Sequence, residues 1–126
     1  MPDLNKVILL GRLTRDPELR YTPQEKAVCD LGIATARHWK NLSGERKSET
    51  TYTQVTLWGK QAELVCKVLE KGDHIFVEGR LHLEKWEGPN GDKRQKMKVM
   101  GEQFQFLNLK RKPTDKDDEY DVNNTP

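Results

Sequence analysis

The sequence predicts an all-β fold, a five-stranded Greek-key barrel with one α-helix between strands 3 and 4. Five segments carry the apolar patterns of β-strands, and one segment has helical spacing. Their order, three strands, a helix and two strands, fits a closed barrel better than a sandwich or a parallel sheet. The 126 residues suffice for one compact domain. We therefore assign residues 1–110 to the folded domain and residues 111–126 to a short acidic tail.

Three strands are predicted before the helix, and polar segments separate them. The strands span Val7–Leu13, Val28–Trp39 and Thr50–Gly59. The segments between them are the predicted loops Asp16–Lys26 and Lys40–Glu49. Alternation in the second and third strands points a set of apolar side chains toward the core: Cys29, Leu31, Ile33, Val55 and Leu57.

The predicted helix is Lys60–Lys71, where the apolar residues change to helical spacing. One stripe of this helix carries Ala62, Val65, Cys66 and Leu69. Gly72 stands where a glycine C′ residue would end the helix.

The last two predicted strands form a hairpin around the turn-rich segment 88–92. The first of them, Asp73–Lys85, points Ile75, Val77, Leu81 and Leu83 inward. In the second, Lys93–Leu109, the apolar parity changes between Val99 and Phe104, which predicts a β-bulge near Gly101. We interpret Phe104 and Phe106 as core or interface residues. Bulges help a sheet to curl, so the predicted barrel is of the OB type.

The net charge of +2 combines a basic body with an acidic end. Residues 113–126 carry a charge of −4, which leaves +6 on residues 1–112. That tail has no apolar pattern, so we predict it to be disordered. A basic body favours a polyanionic partner, although many solvated domains carry a similar charge.

Composition and cysteine usage exclude several classes of protein. Residues 1–6 have no basic signal region, and the apolar run Val7–Leu10 is too short to span a membrane. We therefore expect a cytoplasmic protein without a membrane partner. Cys29 and Cys66 lack a metal-binding spacing, and we interpret both as small buried hydrophobic residues. The sequence predicts no cofactor and no metal site.

Large aromatic residues lie on polar faces of the predicted strands. Tyr52 and Trp58 have the parity opposite to the core-facing residues of strand 3, and Trp86 shares the parity of the cations in strand 4. Trp39 has the core parity, but its place at the mouth of the loop puts it beyond the end of the core. A flat ring offers a π-face to any base while nearby cations hold the backbone. These four residues therefore predict a platform on which unpaired bases stack.

Cations on the aromatic faces or in adjoining loops are candidates for phosphate contacts, although each alone is also explained as a solvated surface charge. These candidates are Lys6, Lys40, Arg46, Lys47, Lys60, Lys71, Arg80, Lys85, Lys93 and Arg94.

Over residues 3–109 the sequence resembles the bacterial single-stranded DNA-binding protein family. The matching segments are, in order, Asn5–Leu13, Asp16–Tyr21, Trp39, Val55–Lys60, Lys71–Gly72, Val77–Leu81 and Lys85–Trp86. The resemblance implies a homotetramer of OB folds that binds single-stranded DNA at the nucleoid in replication, recombination and repair. It also implies that Trp39, Tyr52, Trp58 and Trp86 stand at the family's base-stacking positions. Position 52 carries Tyr where Trp is common, and position 58 carries Trp where Phe is usual.

The C-terminal segment departs from the family pattern. The family typically ends in a long Gly-, Pro- and Gln-rich linker and an acidic tip that closes with a hydrophobic residue, Pro and Phe. Here the acidic cluster Asp115–Asp121 is followed by Asn123–Pro126. The sequence therefore gives no support to recruitment of replication and repair proteins through such a tip.

Three other classes of function remain as alternatives. An enzyme is disfavoured because the three histidines lie on different strands or at strand ends, with no metal-ligand spacing and no nucleophile motif. A binding module for single-stranded RNA, or a dimeric replication-restart accessory of related fold, is a stronger alternative. The third is an assembly protein in which the rings pack between subunits.

We expect a homo-oligomer, with a tetramer as the expected state. The start of strand 1, Val7–Leu10, is apolar on both faces. A small barrel buries one face of a strand in its own core, so a second subunit is expected to cover the other face.

Overall fold

A computed structural model describes residues 2–107, which form six β-strands and one α-helix. In chain order the elements are β1 (Val7–Leu13), β2 (Glu18–Tyr21), β3 (Ala27–Lys40), β4 (Arg46–Trp58), α1 (Gly59–Val68), β5 (His74–Glu87) and β6 (Lys93–Leu107). The sheet order is β1-β5-β6-β4-β3-β2, and β1 also pairs with β3. That pairing closes five strands into a barrel and leaves β2 on its edge. The prediction of an OB-type barrel with one helix is confirmed.

Two contacts close the barrel. β4 and β6 run parallel where Val55 pairs with Val99, whereas every other strand pair in the described residues is antiparallel. β1 pairs with β5 over most of its length and then turns to β3 at its end. Gly11 stands at this change of partner, and a Cβ atom there would overlap the carbonyl oxygen of Ala34. Glycine therefore allows the close approach that β1 needs to join both neighbours.

The core consists of inward-facing residues from the five barrel strands and α1. The predicted inward set of β3 and β4 is buried, and Ala62, Val65 and Leu69 of the helical stripe are buried with it. Cys66, by contrast, is half-buried, so our interpretation of it as a buried residue is wrong. Its position on the margin of the helix stripe leaves part of the side chain open to solvent.

Two hairpins extend beyond the core. Half of the predicted loop over residues 40–49 is strand, because residues 46–51 of β4 pair with residues 35–40 of β3. We call this exposed ribbon the β3–β4 arm. The second ribbon, the β5–β6 arm, pairs residues 82–87 with residues 93–98. Leu81 and Leu83, predicted to face the core, are exposed at the base of this second arm because the barrel ends there.

Two further local predictions differ from the structure. β2 lies inside the predicted loop Asp16–Lys26 and pairs with β3. The helix ends at Val68, three residues before its predicted end, and Gly72 is not its C′ residue. The Asp73 carboxylate accepts a hydrogen bond from the Glu70 N–H, and the Asp73 N–H donates to the Glu70 carbonyl. This turn replaces the last turn of the helix, and Gly72 occupies its position of positive φ.

The predicted bulge near Gly101 is confirmed. Glu78 pairs with Gln103 and Gly79 with Gly101, so Glu102 is the extra residue of β6. Because of the extra residue, the core-facing positions of β6 change from the odd-numbered Val99 to the even-numbered Phe104 and Phe106. Both phenylalanines consequently pack against the core.

The predicted disordered tail and the end of the predicted fifth strand lie outside the described residues. Among residues 2–107, no helix is both long and apolar enough to cross a membrane.

Candidate nucleic-acid interface

Five large rings are exposed in the described part of the chain: Tyr21 of β2, which is 58% exposed, and the four predicted stacking residues. The exposed fractions are 72% for Tyr52, 43% for Trp86, 40% for Trp58 and 38% for Trp39. Exposed apolar groups rimmed by polar residues mark binding surfaces, so these rings are candidates for contacts with a partner.

Tyr52 and Trp58 lie on the outer face of β4. The register pairs Leu57 with Cys29 on the core face, and it pairs Trp58 with Val28 and Tyr52 with Ala34 on the opposite face. The alternation of the strand therefore places both rings outside the barrel wall, as their parity predicts.

Trp39 lies on the β3–β4 arm, opposite Lys47. Its parity is that of the core, but the arm extends beyond the barrel, so the ring reaches solvent as expected. The Arg37 guanidinium lies 4.5 Å from the centroid of the Trp39 ring, which is the geometry of a cation–π contact. A hollow beside the ring is lined by Lys40, Arg46 and Lys47.

Trp86 has an equivalent position on the β5–β6 arm, opposite Arg94. A second hollow joins this ring to Lys85, Lys93 and Arg94. The Arg94 guanidinium donates a hydrogen bond to the Asp92 carboxylate at 2.7 Å, and this bond lowers the pKa of Asp92. Each arm thus presents one tryptophan beside a hollow lined by three cations, and Arg37 adds a fourth cation over the Trp39 ring.

A third hollow at Tyr52 contains cations that our sequence reasoning missed. Arg15, Lys96 and Lys98 line it together with Tyr52 and Gln54. Lys96 donates a hydrogen bond to the Gln54 side chain, and Lys98 is nearly buried beside Glu84 at 3.2 Å. The alternation of Lys96 and Lys98 against apolar Met97 and Val99 is the sequence signal that could have identified them.

Four predicted phosphate contacts lie apart from the three hollows. Lys6 forms an ion pair with Glu78, whose hydrogen bond raises the pKa of Lys6, and Arg80 forms one with Glu102. Lys60 lies in the first turn of α1, two residues after Trp58. Lys71 lies in the turn after the helix, where its N–H donates to Asp16.

An acidic residue, Asp30, stands on the same outer face as Trp58. Its carboxylate accepts hydrogen bonds from the Thr56 hydroxyl at 2.7 Å and from the Arg20 guanidinium at 2.9 Å. Partial burial raises the pKa of Asp30, but these two bonds and the charge of Arg20 outweigh burial and hold it below its usual value. Asp30 is therefore a fixed negative charge that Arg20 largely neutralises.

We expect Asp30 to make the fold less stable in acid. Its pKa is lower in the folded state, so its stabilising contribution is complete above the ordinary aspartate pKa and is lost as the pH falls through the lowered value. Asp30→Asn should destabilise the protein by about 1 kcal/mol at pH 7 and by less at pH 3, which lies below the ordinary aspartate pKa. Urea unfolding at both pH values measures this, with the exposed Asp3→Asn as control. An equal loss at both pH values would contradict the assignment.

The described residues contain no group of three or more histidine, cysteine, aspartate or glutamate side chains that could hold a metal ion. The exposed rings and the cations, rather than a metal centre, are therefore the chemistry that this surface offers.

Rings and cations on the outer wall of an OB barrel define a class of proteins that bind single strands by stacking. The sequence profile of the single-strand binding protein family matches residues 4–107. The chain belongs to this family.

Similar chains carry the name single-stranded DNA-binding protein. The one from Wolinella succinogenes is 46% identical over 106 residues, which is 84% of this chain and 65% of that protein. The one from Helicobacter hepaticus is 42% identical over 84% of this chain and 62% of its own length. The chain thus spans somewhat less than two thirds of these relatives.

Solved structures show the same fold. A deletion mutant of the single-stranded DNA binding protein from Thermus aquaticus matches with a TM-score of 0.75 and 40% identity, over 85% of this chain and 52% of that one. A Plasmodium falciparum SSB in complex with single-stranded DNA matches with a TM-score of 0.77 and 26% identity, over 86% of this chain and 98% of that one.

Proposed function

We propose that this protein binds single-stranded DNA without strong sequence preference, and so protects and organises it during replication, recombination and repair. The observation that carries the proposal is the set of four exposed predicted rings, three of which, Trp39, Tyr52 and Trp86, have cations beside them. Membership of the single-strand binding protein family supports it. No reaction and no cofactor is needed for this role.

Two kinds of contact share the binding. Trp39, Tyr52, Trp58 and Trp86 stack on bases, which is tolerant of sequence because every base has a π-face. The cations of the hollows contact phosphates, and the best placed are those beside Trp39 and Trp86. Arg15, Lys96 and Lys98 add a cationic site beside Tyr52.

The binding unit is a homo-oligomer, with a tetramer as the expected state. On β1, Val7 and Leu9 pack against the core, whereas Ile8 and Leu10 are 59% and 55% exposed on the other face. In the described residues, positions 7–11 of β1 pair with β5 and leave the other edge of the strand open. A second copy can cover the apolar face and pair with this edge.

A fluorescence titration tests the function. All three tryptophans of the sequence are proposed stacking residues, so saturating poly-dT should quench most of the intrinsic emission. Raising the salt should weaken binding moderately, because stacking is not screened whereas each neutralised phosphate contributes a log-log slope of about −0.7. With Mg²⁺ present, the labelled strand should remain intact.

Competition between oligomers of equal sequence separates the alternatives. Single-stranded DNA should displace the labelled probe, whereas duplex DNA should not, because its bases are already stacked and paired. Stronger displacement by RNA would identify an RNA-binding module instead. A dimer with weak binding would identify a replication-restart accessory, and unchanged emission with poly-dT would assign the rings to protein interfaces.

A further inference from the structure

Two thiols from different elements meet under the ring-bearing wall of the barrel. Cys29 lies in β3 and Cys66 in α1, 37 residues apart in sequence, and their Sγ atoms are 3.3 Å apart. Both are free thiols; Cys29 is fully buried and Cys66 is half-buried. A pair at this distance needs movements of about 1 Å to reach the bond length of a disulfide.

We propose that Cys29 and Cys66 are a modification site, at which a peroxide converts the two thiols into an intramolecular disulfide that tethers α1 to β3. The pair differs from two isolated buried cysteines because the Cys66 thiol donates a hydrogen bond to the Cys29 sulfur and because Cys66 is only half-buried. The inference is independent of the proposed DNA binding.

The order of the two steps follows from burial. Burial, reinforced by the hydrogen bond with Cys66, raises the pKa of the Cys29 thiol and keeps it protonated. The half-buried Cys66 is therefore the sulfur that a small oxidant reaches first.

The chemistry with hydrogen peroxide balances without a further reactant. The Cys66 Sγ attacks one peroxide oxygen, the O–O bond breaks, and water leaves as Cys66 becomes a sulfenic acid. The Cys29 Sγ then attacks the Cys66 Sγ, the S–O bond breaks, and the hydroxyl leaves with the Cys29 proton as a second water. Two thiols are oxidised and one peroxide is reduced.

The position of the pair determines what the disulfide would do. Cys29 pairs with Leu57 on the core face of the sheet, opposite the face of Tyr52 and Trp58. The tether would close a loop that contains β4 and most of β3, which restricts the unfolded chain and stabilises the fold. The ring face itself would be untouched.

The experiment treats the purified full-length protein with a small excess of hydrogen peroxide. Thiol titration should fall from two groups per chain to none, the intact mass should fall by two hydrogen atoms, and proteolysis should yield a Cys29–Cys66 linked peptide. The melting temperature should rise by about 5 to 15 °C and return on reduction with dithiothreitol. Cys66→Ser, a matched variant that keeps the hydrogen-bonding group, should show no such rise.

Several results would overturn the proposal. Thiol titration could still find two thiols after peroxide treatment, or the mass could show added oxygen without a linked peptide. Cross-links could form between chains instead of within one chain, or the linked peptide could form without a rise in melting temperature. Peptide mapping of the wild-type protein decides the question even if Cys66→Ser does not fold.

Discussion

Replacement of Trp39 or Trp86 by alanine is expected to weaken binding of poly-dT by about 1 to 3 kcal/mol each, or roughly 5- to 150-fold. Each ring stands on an arm beside a hollow lined by three cations. Loss of the ring removes a stacking face and leaves the phosphate contacts in place. Both positions lie beyond the core, so the melting temperature should remain close to that of the wild type. Fluorescence anisotropy with labelled poly-dT measures the loss.

Substitutions at the barrel wall supply matched controls. Trp58→Phe and Tyr52→Trp keep a ring and should be mild, whereas Trp58→Leu keeps apolar bulk but loses the flat face and should weaken binding. If hydrophobicity alone drove binding, Trp58→Leu and Trp58→Phe would behave alike. Wild-type affinity in both arm variants would show that the rings are structural.

Placing a charge on the outer face of β1 should dissociate the oligomer. Leu10 is half-exposed on one subunit, and Leu10→Glu would bury an unpaired carboxylate wherever a second copy covers this face. We expect light scattering at micromolar concentration to give a multiple of the 14.7 kDa chain for the wild type, four copies being expected, and a smaller mass for the variant.

Leu42→Glu is the control for that experiment. Leu42 is fully exposed in the turn of the β3–β4 arm, so a charge there should leave the mass unchanged. Circular dichroism verifies that Leu10→Glu is folded. A single-chain mass for the wild type, or an unchanged mass for Leu10→Glu, would contradict the proposed interface.

The barrel was predictable from sequence because its strands bury one face. Residues of β3 and β4 that alternate toward the core have exposures near zero. β2 was not predictable, since all four of its residues are exposed and its pairing with β3 leaves no apolar pattern. The start of β4 in the β3–β4 arm was predicted as a loop for the same reason, because its residues are exposed on both faces and carry no alternation. In such segments the backbone pairing is set by the neighbouring strand.

The candidate site likewise contains some residues whose position could be predicted from the sequence and others whose position could not. Parity within one strand placed Tyr52, Trp58 and Trp86 on the outer face, where the structure has them. The hollow at Tyr52 depends instead on the parallel pairing of β4 with β6, which joins residues about 44 positions apart. No local pattern encodes that contact, so the alternation of Lys96 and Lys98 with Met97 and Val99 indicates their face of the strand but not their position beside Tyr52. The stacking and phosphate-binding roles of all these residues remain predictions.

We expect the two arms to be less stable against local unfolding than the wall of the barrel. A ribbon of two exposed strands is marginally stable by itself, and amide hydrogen exchange should therefore be faster along residues 35–40 and 82–87 than along the buried part of β3. Stacking of a base on Trp39 or Trp86 is expected to reduce the motion of the arm that carries the ring. Stacking on Trp58 is expected to need no such ordering, because Trp58 lies on the closed barrel. If the arms bind bases as proposed, ordering them costs conformational entropy that the wall does not lose, whereas their flexibility lets them follow a strand whose path is not fixed in advance.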